Sequence, residues 1–130
     1  MHALDTNTLI YFFKGMGRVS EHLLAQPPSA IGIPVVVVYE IETGIAKSSR
    51  PEPRRAQFEQ LLQTVEVLPF DTAAARQAAA VRAALERRGA PIGPLDTLIA
   101  GTVLAYSATL VTHNTNEFGR VEGLNIVDWY

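Results

Sequence analysis

Cysteine is absent from the chain, which excludes a disulfide framework and any thiolate metal site. Charge is scarce as well. Asp, Glu, Lys and Arg supply 18% of the residues against 48% hydrophobic ones, a balance that excludes disorder and predicts a well-filled core. There is no basic excess: the net charge is −2 and the isoelectric point about 5.9. Any contact with nucleic acid must therefore come from local Arg clusters or bound cations rather than general attraction for phosphates. The opening "MHALDTNTLIYFFKG" carries no basic leader, long apolar run or small-residue cleavage site. Neither export nor membrane insertion is expected, and a cytoplasmic setting is. No Gly-x-Ser-x-Gly elbow supports a Ser-His-Asp hydrolase. His2, His22 and His113 lack the i,i+4 spacing of a zinc helix and read as structural or exposed residues.

What is present fits one domain over residues 1–130, with no internal repeat and no low-complexity stretch. "HALD" reads as a strand, and "TNTLIYFFKG" as a helix capped by Thr6 and stopped near Gly15. "RVSEHLLAQ" predicts a short helix ended by Pro27 and Pro28, and "AIGI" a second strand. Four consecutive valines favour a strand, yet Pro34 suits the first turn of a helix and "YEIETGIAKS" gives that helix length. "PEPRRAQFEQLLQTV" places Phe58, Leu61, Leu62 and Val65 at helical spacing, and "VEVLPF" is a third strand. Asp71 caps an Ala-rich helix that Gly89 closes, and Pro94 opens another. "TLVT" and "LNIVDW" complete five strands. Strands alternating with helices predict an α/β fold with a parallel sheet covered on both faces. Ligands bind such sheets beyond the carboxyl ends of the strands, where the strand order reverses. Two polar clusters fall at strand ends: Asp5-Thr6-Asn7 and the run from His113 to Glu117.

Acids stand in apolar surroundings at three places. Asp5 follows "HAL"; Glu40 lies within "VVVVYEIETG"; Asp96 is the one charged residue of "IGPLDTLIAGTVLAY". Each has an ordinary reading, as an N-cap, a solvent-facing helix position and a first-turn partner of the helix dipole respectively. Glu42 cannot share a helix face with Glu40, and spacing alone does not choose between them. Together the acids point to a shared purpose, because carboxylates taken from water need partners or a cation. Lys14 and Lys47 lie two to three helical turns away. Hard oxygen ligands without Cys favour magnesium or manganese over zinc.

With these blocks the chain resembles the PIN-domain ribonucleases, specifically the VapC-type toxins of type II toxin–antitoxin pairs. The resemblance rests on "LDTNTLIYFFKG", "EIETGI", "GPLDTLIAGTVLAY" and "LVTHNTNEFGRVEGLNIVDW", in order and across nearly the whole length. It implies a three-layer α/β/α sandwich with strand order 3-2-1-4-5. It carries Asp5, Glu40 and Asp96 over as metal-binding acids, selects Glu40 rather than Glu42, and makes Gly44 a glycine for close helix packing. Val37 and Val38 stand where relatives often have a hydroxyl before the glutamate, and Asn114 where many carry Asp. Glu117, about one turn on if "TNEFGR" is helical, is the expected fourth carboxylate.

The activity implied is magnesium- or manganese-dependent endonucleolytic cleavage of RNA. Asp5, Asp96 and Glu117 are then metal ligands, and Glu40 is a ligand or orients the attacking water. Thr6, Asn7, Thr112 and Asn114 are expected to supply supporting hydrogen bonds. Arg50, Arg54, Arg55, Arg87 and Arg88 are candidates for RNA phosphates, with solvated helix ends as their ordinary reading. A VapB-type antitoxin and a homodimer follow from the resemblance alone. One alternative is a PIN-fold RNA-binding module with an impaired site. Another is phosphotransfer of the receiver or haloacid-dehalogenase type, using Asp71 or "DTNT", but a late Lys is missing.

Overall fold

Three residues suffice for the central strand because both its neighbours hold it. In a computed structural model describing residues 1–130, β1 (His2–Leu4) pairs in parallel with β2 (Ile31–Pro34) and β4 (Thr109–Val111). β3 (Glu66–Leu68) lies outside β2, and β5 (Ile126–Val127) outside β4, giving the order β3-β2-β1-β4-β5. In register, Ala3 faces Gly32 on one side and Leu110 on the other. A Cβ at Gly32 would stand 2.9 Å from Leu68 Cδ1, so glycine lets the edge strand's leucine fold over its neighbour. The helices are α1 (Thr6–Lys14), α2 (Val19–Leu24), α3 (Val35–Lys47), α4 (Glu52–Leu62), α5 (Thr72–Arg87), α6 (Pro94–Ala105) and α7 (Thr115–Phe118). They flank the sheet as an α/β/α sandwich. No helix is long and apolar enough to cross a membrane.

The core runs through both faces of the sheet. Leu4, Ile33, Leu68 and Leu110 come from the strands, Leu9, Val37, Phe58 and Ile99 from the helices, and all are fully buried. The valine run is helical because Pro34 ends β2 and starts the turn, while Val36, Val37, Ile41 and Ile45 recur on the core side. Tertiary burial overrides the strand preference of valine here. Helices α5 and α6 approach each other closely. A Cβ on Gly101 would meet Ala78 at 2.5 Å, so this glycine sets the spacing. Gly44 does not have the packing role expected of it, because nothing lies within 4 Å of a Cβ placed there.

Several boundaries differ from the sequence reading. Thr6 is the first residue of α1, and Asp5 is its cap. The carboxylate accepts from the Thr8 amide at 2.9 Å, an acceptor geometry that a Thr one residue later does not offer. Pro34 closes β2 instead of entering the helix. The second helix ends at Leu24, with a short 3₁₀ turn at Pro28–Ala30 before β2, and Val65 falls beyond α4. The expected Asp71 cap and Gly89 stop are as read, Gly89 taking the left-handed φ of 66°.

Candidate active site

Because all five strands are parallel, their carboxyl ends share one edge of the sheet, and β1 lies where the chain order reverses. Asp5 emerges there in an extended conformation, φ −80° and ψ 173°, and is only 4% exposed. Its backbone N–H donates to Val111 O at 3.2 Å, extending the β1–β4 ladder by one bond. Burial pushes its carboxyl above the ordinary range, and the nearby charge of Asp128 adds to this. Hydrogen bonds from Thr112 and Thr8 oppose the shift without cancelling it.

The other acids come from three different helices. Glu40 projects from the middle of α3, and Thr6 Oγ1 donates to its Oε1 at 2.6 Å. Glu42 faces away, with its Oε2 3.4 Å from Arg55 Nη1. Asp96 sits in the first turn of α6, which Pro94 opens and no side chain caps. Its carboxyl is pushed up to about 6, first by burial and then by the charges of Glu40, Asp5 and Glu117. Glu117 lies on the short α7, where Asn114 Nδ2 donates to its Oε2 at 2.9 Å. The Asn114 backbone N–H in turn donates to Thr112 Oγ1 at 3.0 Å. Thr112 thus links Asp5 to the segment that orients Glu117. Of the expected supporting residues, Thr6, Thr112 and Asn114 each hold one acid, whereas Asn7 is exposed and makes no side-chain hydrogen bond.

The charges acting on Asp96 are all negative. No lysine or arginine is among the charges acting on Asp96, and a group of carboxylate oxygen donors of this kind fits a hard divalent cation, with magnesium or manganese suiting the donor set. Asp5, Asp96 and Glu117, with Glu40, form an electrostatic cluster rather than a finished coordination shell, since no three acids or histidines are spaced to enclose an ion as they stand. Three of the four carboxylates accept from a neutral donor: Asp5 from the Thr8 amide, Glu40 from Thr6 and Glu117 from Asn114.

The candidate arginines fall in two regions, around the start of α4 and at the end of α5. Arg50, Arg54 and Lys14 border a groove of about 520 Å³ that begins at Glu40 and runs between α1, α3 and the start of α4. The Arg54 guanidinium lies 4.6 Å over the Phe13 ring. Arg55 is occupied by Glu42. Arg88 donates to the Arg120 carbonyl at 2.6 Å and Arg120 to the Pro91 carbonyl at 3.1 Å, a tie that anchors the loop before α6. Arg87 is exposed at the end of α5. A larger cavity, about 600 Å³ beside Phe70, Ala78 and Leu98, contains none of the four clustered acids.

Asp71, the acid that a phosphotransfer site would need, is an exposed cap after the edge strand β3. Sequence reasoning missed Asp128, whose Oδ2 lies 2.8 Å from His113 Nδ1. Burial pushes Asp128 up, but hydrogen bonds from the Tyr130 amide and His113 outweigh it and leave the carboxyl below its ordinary value. The signal was available: Asp128 directly follows β5, as His113 and Asn114 follow β4.

The PIN domain family model matches residues 3–124. The chain is similar to the tRNA(fMet)-specific endonuclease VapC of Salmonella typhimurium, 36% identical over 97% of this chain and 96% of the relative. Among solved structures, DNA-bound VapBC from Salmonella typhimurium aligns with a TM-score of 0.92 at 35% identity, over 99% of this chain and 98% of that one. VapBC2 from Rickettsia felis, bound to a DNA fragment from its promoter, also aligns at 0.92, with 30% identity and the same coverage.

Proposed function

The chain belongs to the PIN domain family, and on that footing we propose that it is an endoribonuclease and the toxin of a VapBC-type toxin–antitoxin pair, cutting RNA with magnesium or manganese at its acidic centre. The observation that carries this reading is the convergence of Asp5, Glu40, Asp96 and Glu117 from four separate segments at the sheet's reversal point.

Asp5, Asp96 and Glu117 would hold the ion. Bound there, magnesium or manganese supplies charge to offset the scissile phosphate and lowers the pKa of water. The side chains contribute orientation. Thr112 fixes Asp5, and Asn114 fixes Glu117, so two ligands are aimed before substrate arrives. Thr6 holds one oxygen of Glu40; the other makes no hydrogen bond within the chain and is free to accept a proton from the attacking water. The groove bordered by Lys14, Arg50 and Arg54 fits an approaching phosphate backbone, offsetting locally a chain that is acidic overall. A VapB-type antitoxin, a toxin homodimer and action in the cytoplasm belong to the same proposal.

Cleavage of total RNA tests it, with the new RNA ends sequenced. Discrete cuts are expected with either ion, lost in excess chelator and restored by adding the ion back. Cuts that persist in chelator overturn the ion requirement. A folded chain that makes none is an RNA-binding module at most.

A further inference from the structure

A group of rings that the cleavage chemistry leaves unused lies beside the acids. His113 lies nearly parallel on Tyr130, with ring centroids 4.3 Å apart and planes 20° apart. Tyr11 meets them edge-on, 6.0 Å from His113 and 4.9 Å from Tyr130. The stack is fixed from several sides. Asp128 accepts from the Tyr130 amide at 2.9 Å with one oxygen and pairs with His113 Nδ1 at 2.8 Å with the other. The Tyr130 carbonyl accepts from the Arg18 amide at 2.7 Å. Even so, the His113 side chain is 46% exposed. One ring face rests on Tyr130, the Nδ1 edge pairs with Asp128 and Tyr11 meets the ring edge-on, so the face opposite Tyr130 is the part that none of these contacts covers.

We infer that this open face of His113, backed by Tyr130 and Tyr11, is a stacking platform for one unpaired nucleobase of the RNA, next to the phosphate that is cut. The inference rests on the ribonuclease reading and deepens it by naming how a base is held. Position is the first argument. His113 stands between Thr112, which bonds Asp5, and Asn114, which holds Glu117, and the charge of Asp128 reaches Asp5. Charge is the second. The chain carries a net −2, and its site gathers carboxylates, so phosphate attraction alone is a poor source of affinity. Stacking on a flat ring works whatever the sign of the surrounding charge, and every base offers a face for it. A ring already held by Asp128 and Tyr130 loses little freedom when a base settles on it.

The experiment is steady-state cleavage of a short single-stranded RNA spanning a mapped cut, by the parent chain, His113→Ala and His113→Phe. Each is also assayed on the same RNA with one abasic residue moved along it. His113→Phe keeps a stacking face but loses the Asp128 partner. We expect KM to rise about tenfold in His113→Ala, with kcat within about twofold, and to return toward the parent value in His113→Phe. An abasic residue beside the cut phosphate should raise KM for the parent and add nothing in His113→Ala. Melting temperatures of all three check that the fold is kept. A parental KM in His113→Ala, penalties that simply add, or no recovery in His113→Phe overturns the platform while cleavage by the parent leaves the ribonuclease reading standing. A parent chain that cleaves no RNA removes that reading and the platform with it.

Discussion

Two aspartates in this chain are built alike and end differently. Asp5 follows β1 and caps α1; Asp71 follows β3 and caps α5. Both have extended backbone, and both accept from the amide three residues on at 2.9 Å. Asp71, beyond the edge strand, is exposed to water. Asp5, beyond the central strand, is 4% exposed and lies within the field of Asp96 and Asp128. The local motif is the same, so it is not what makes a site. Position in the strand order does: only at the reversal do segments from both halves of the sheet bring acids to one place.

The largest effect that can break this comparison is on cleavage. Asn is as good a cap as Asp, so Asp5→Asn and Asp71→Asn should both keep their helices. Asp5→Asn is expected to lower RNA cleavage by on the order of a hundredfold or more, and Asp71→Asn to leave it unchanged. Comparable losses in both variants, with both folded by circular dichroism, would mean that position at the reversal does not set the Asp5 charge apart from that of Asp71.

The comparison also shows how much was legible beforehand. The five strands, the helical valine run and the acids Asp5 and Asp96 carried visible patterns, because periodicity and isolated charge in apolar sequence are local signals, whereas the strand order followed only from the resemblance to the PIN-domain ribonucleases. The choice between Glu40 and Glu42 was not local. It depends on Thr6 reaching across 34 residues to one and Arg55 across 13 to the other. The close α5–α6 approach was hidden for the same reason. Gly101 looks like any glycine in a helix until Ala78 is placed against it, while Gly44, inside a recognisable motif, faces open space. The arginines of the α4 start and the α5 end could not be told apart by composition. Packing separates Arg50 and Arg54, which border the groove, from Arg88, which ties down a loop.

A smaller effect sharpens the account of the fourth acid. Asn114 offers only a neutral amide, and that amide is spent on Glu117 at 2.9 Å. Glu117→Gln removes a charge from the cluster, whereas Asn114→Ala removes only its support. Manganese binding by calorimetry should weaken about a hundredfold in Glu117→Gln and about tenfold in Asn114→Ala. Parental affinity in Glu117→Gln would leave a site of three carboxylates. The reverse ranking would make Asn114 itself a ligand through its carbonyl oxygen.

The smallest effect concerns stability, and its sign runs against the usual expectation for removing a buried charge-bearing residue. The Asp96 carboxyl is raised to about 6 from an ordinary value near 3.8. A group raised on folding favours the native state fully below its unfolded value, and that contribution is lost as pH climbs through the folded value. The parent chain in chelator should therefore lose stability between about pH 4 and pH 6 from this group. Asp96→Asn cannot ionise and escapes the loss. Unscreened, a shift of this size corresponds to about 3 kcal/mol. Asp96 is partly open to water, so a gain of about 1 kcal/mol at pH 7, a few degrees in melting temperature, is the expectation after screening. Thermal melts of the parent and Asp96→Asn at pH 4 and pH 7 in chelator decide the matter. If Asp96→Asn melts no higher than the parent at pH 7, the crowding of like charge around α6 is not costing the fold stability. The contrast between the reversal point and the sheet edge would then rest on cleavage alone.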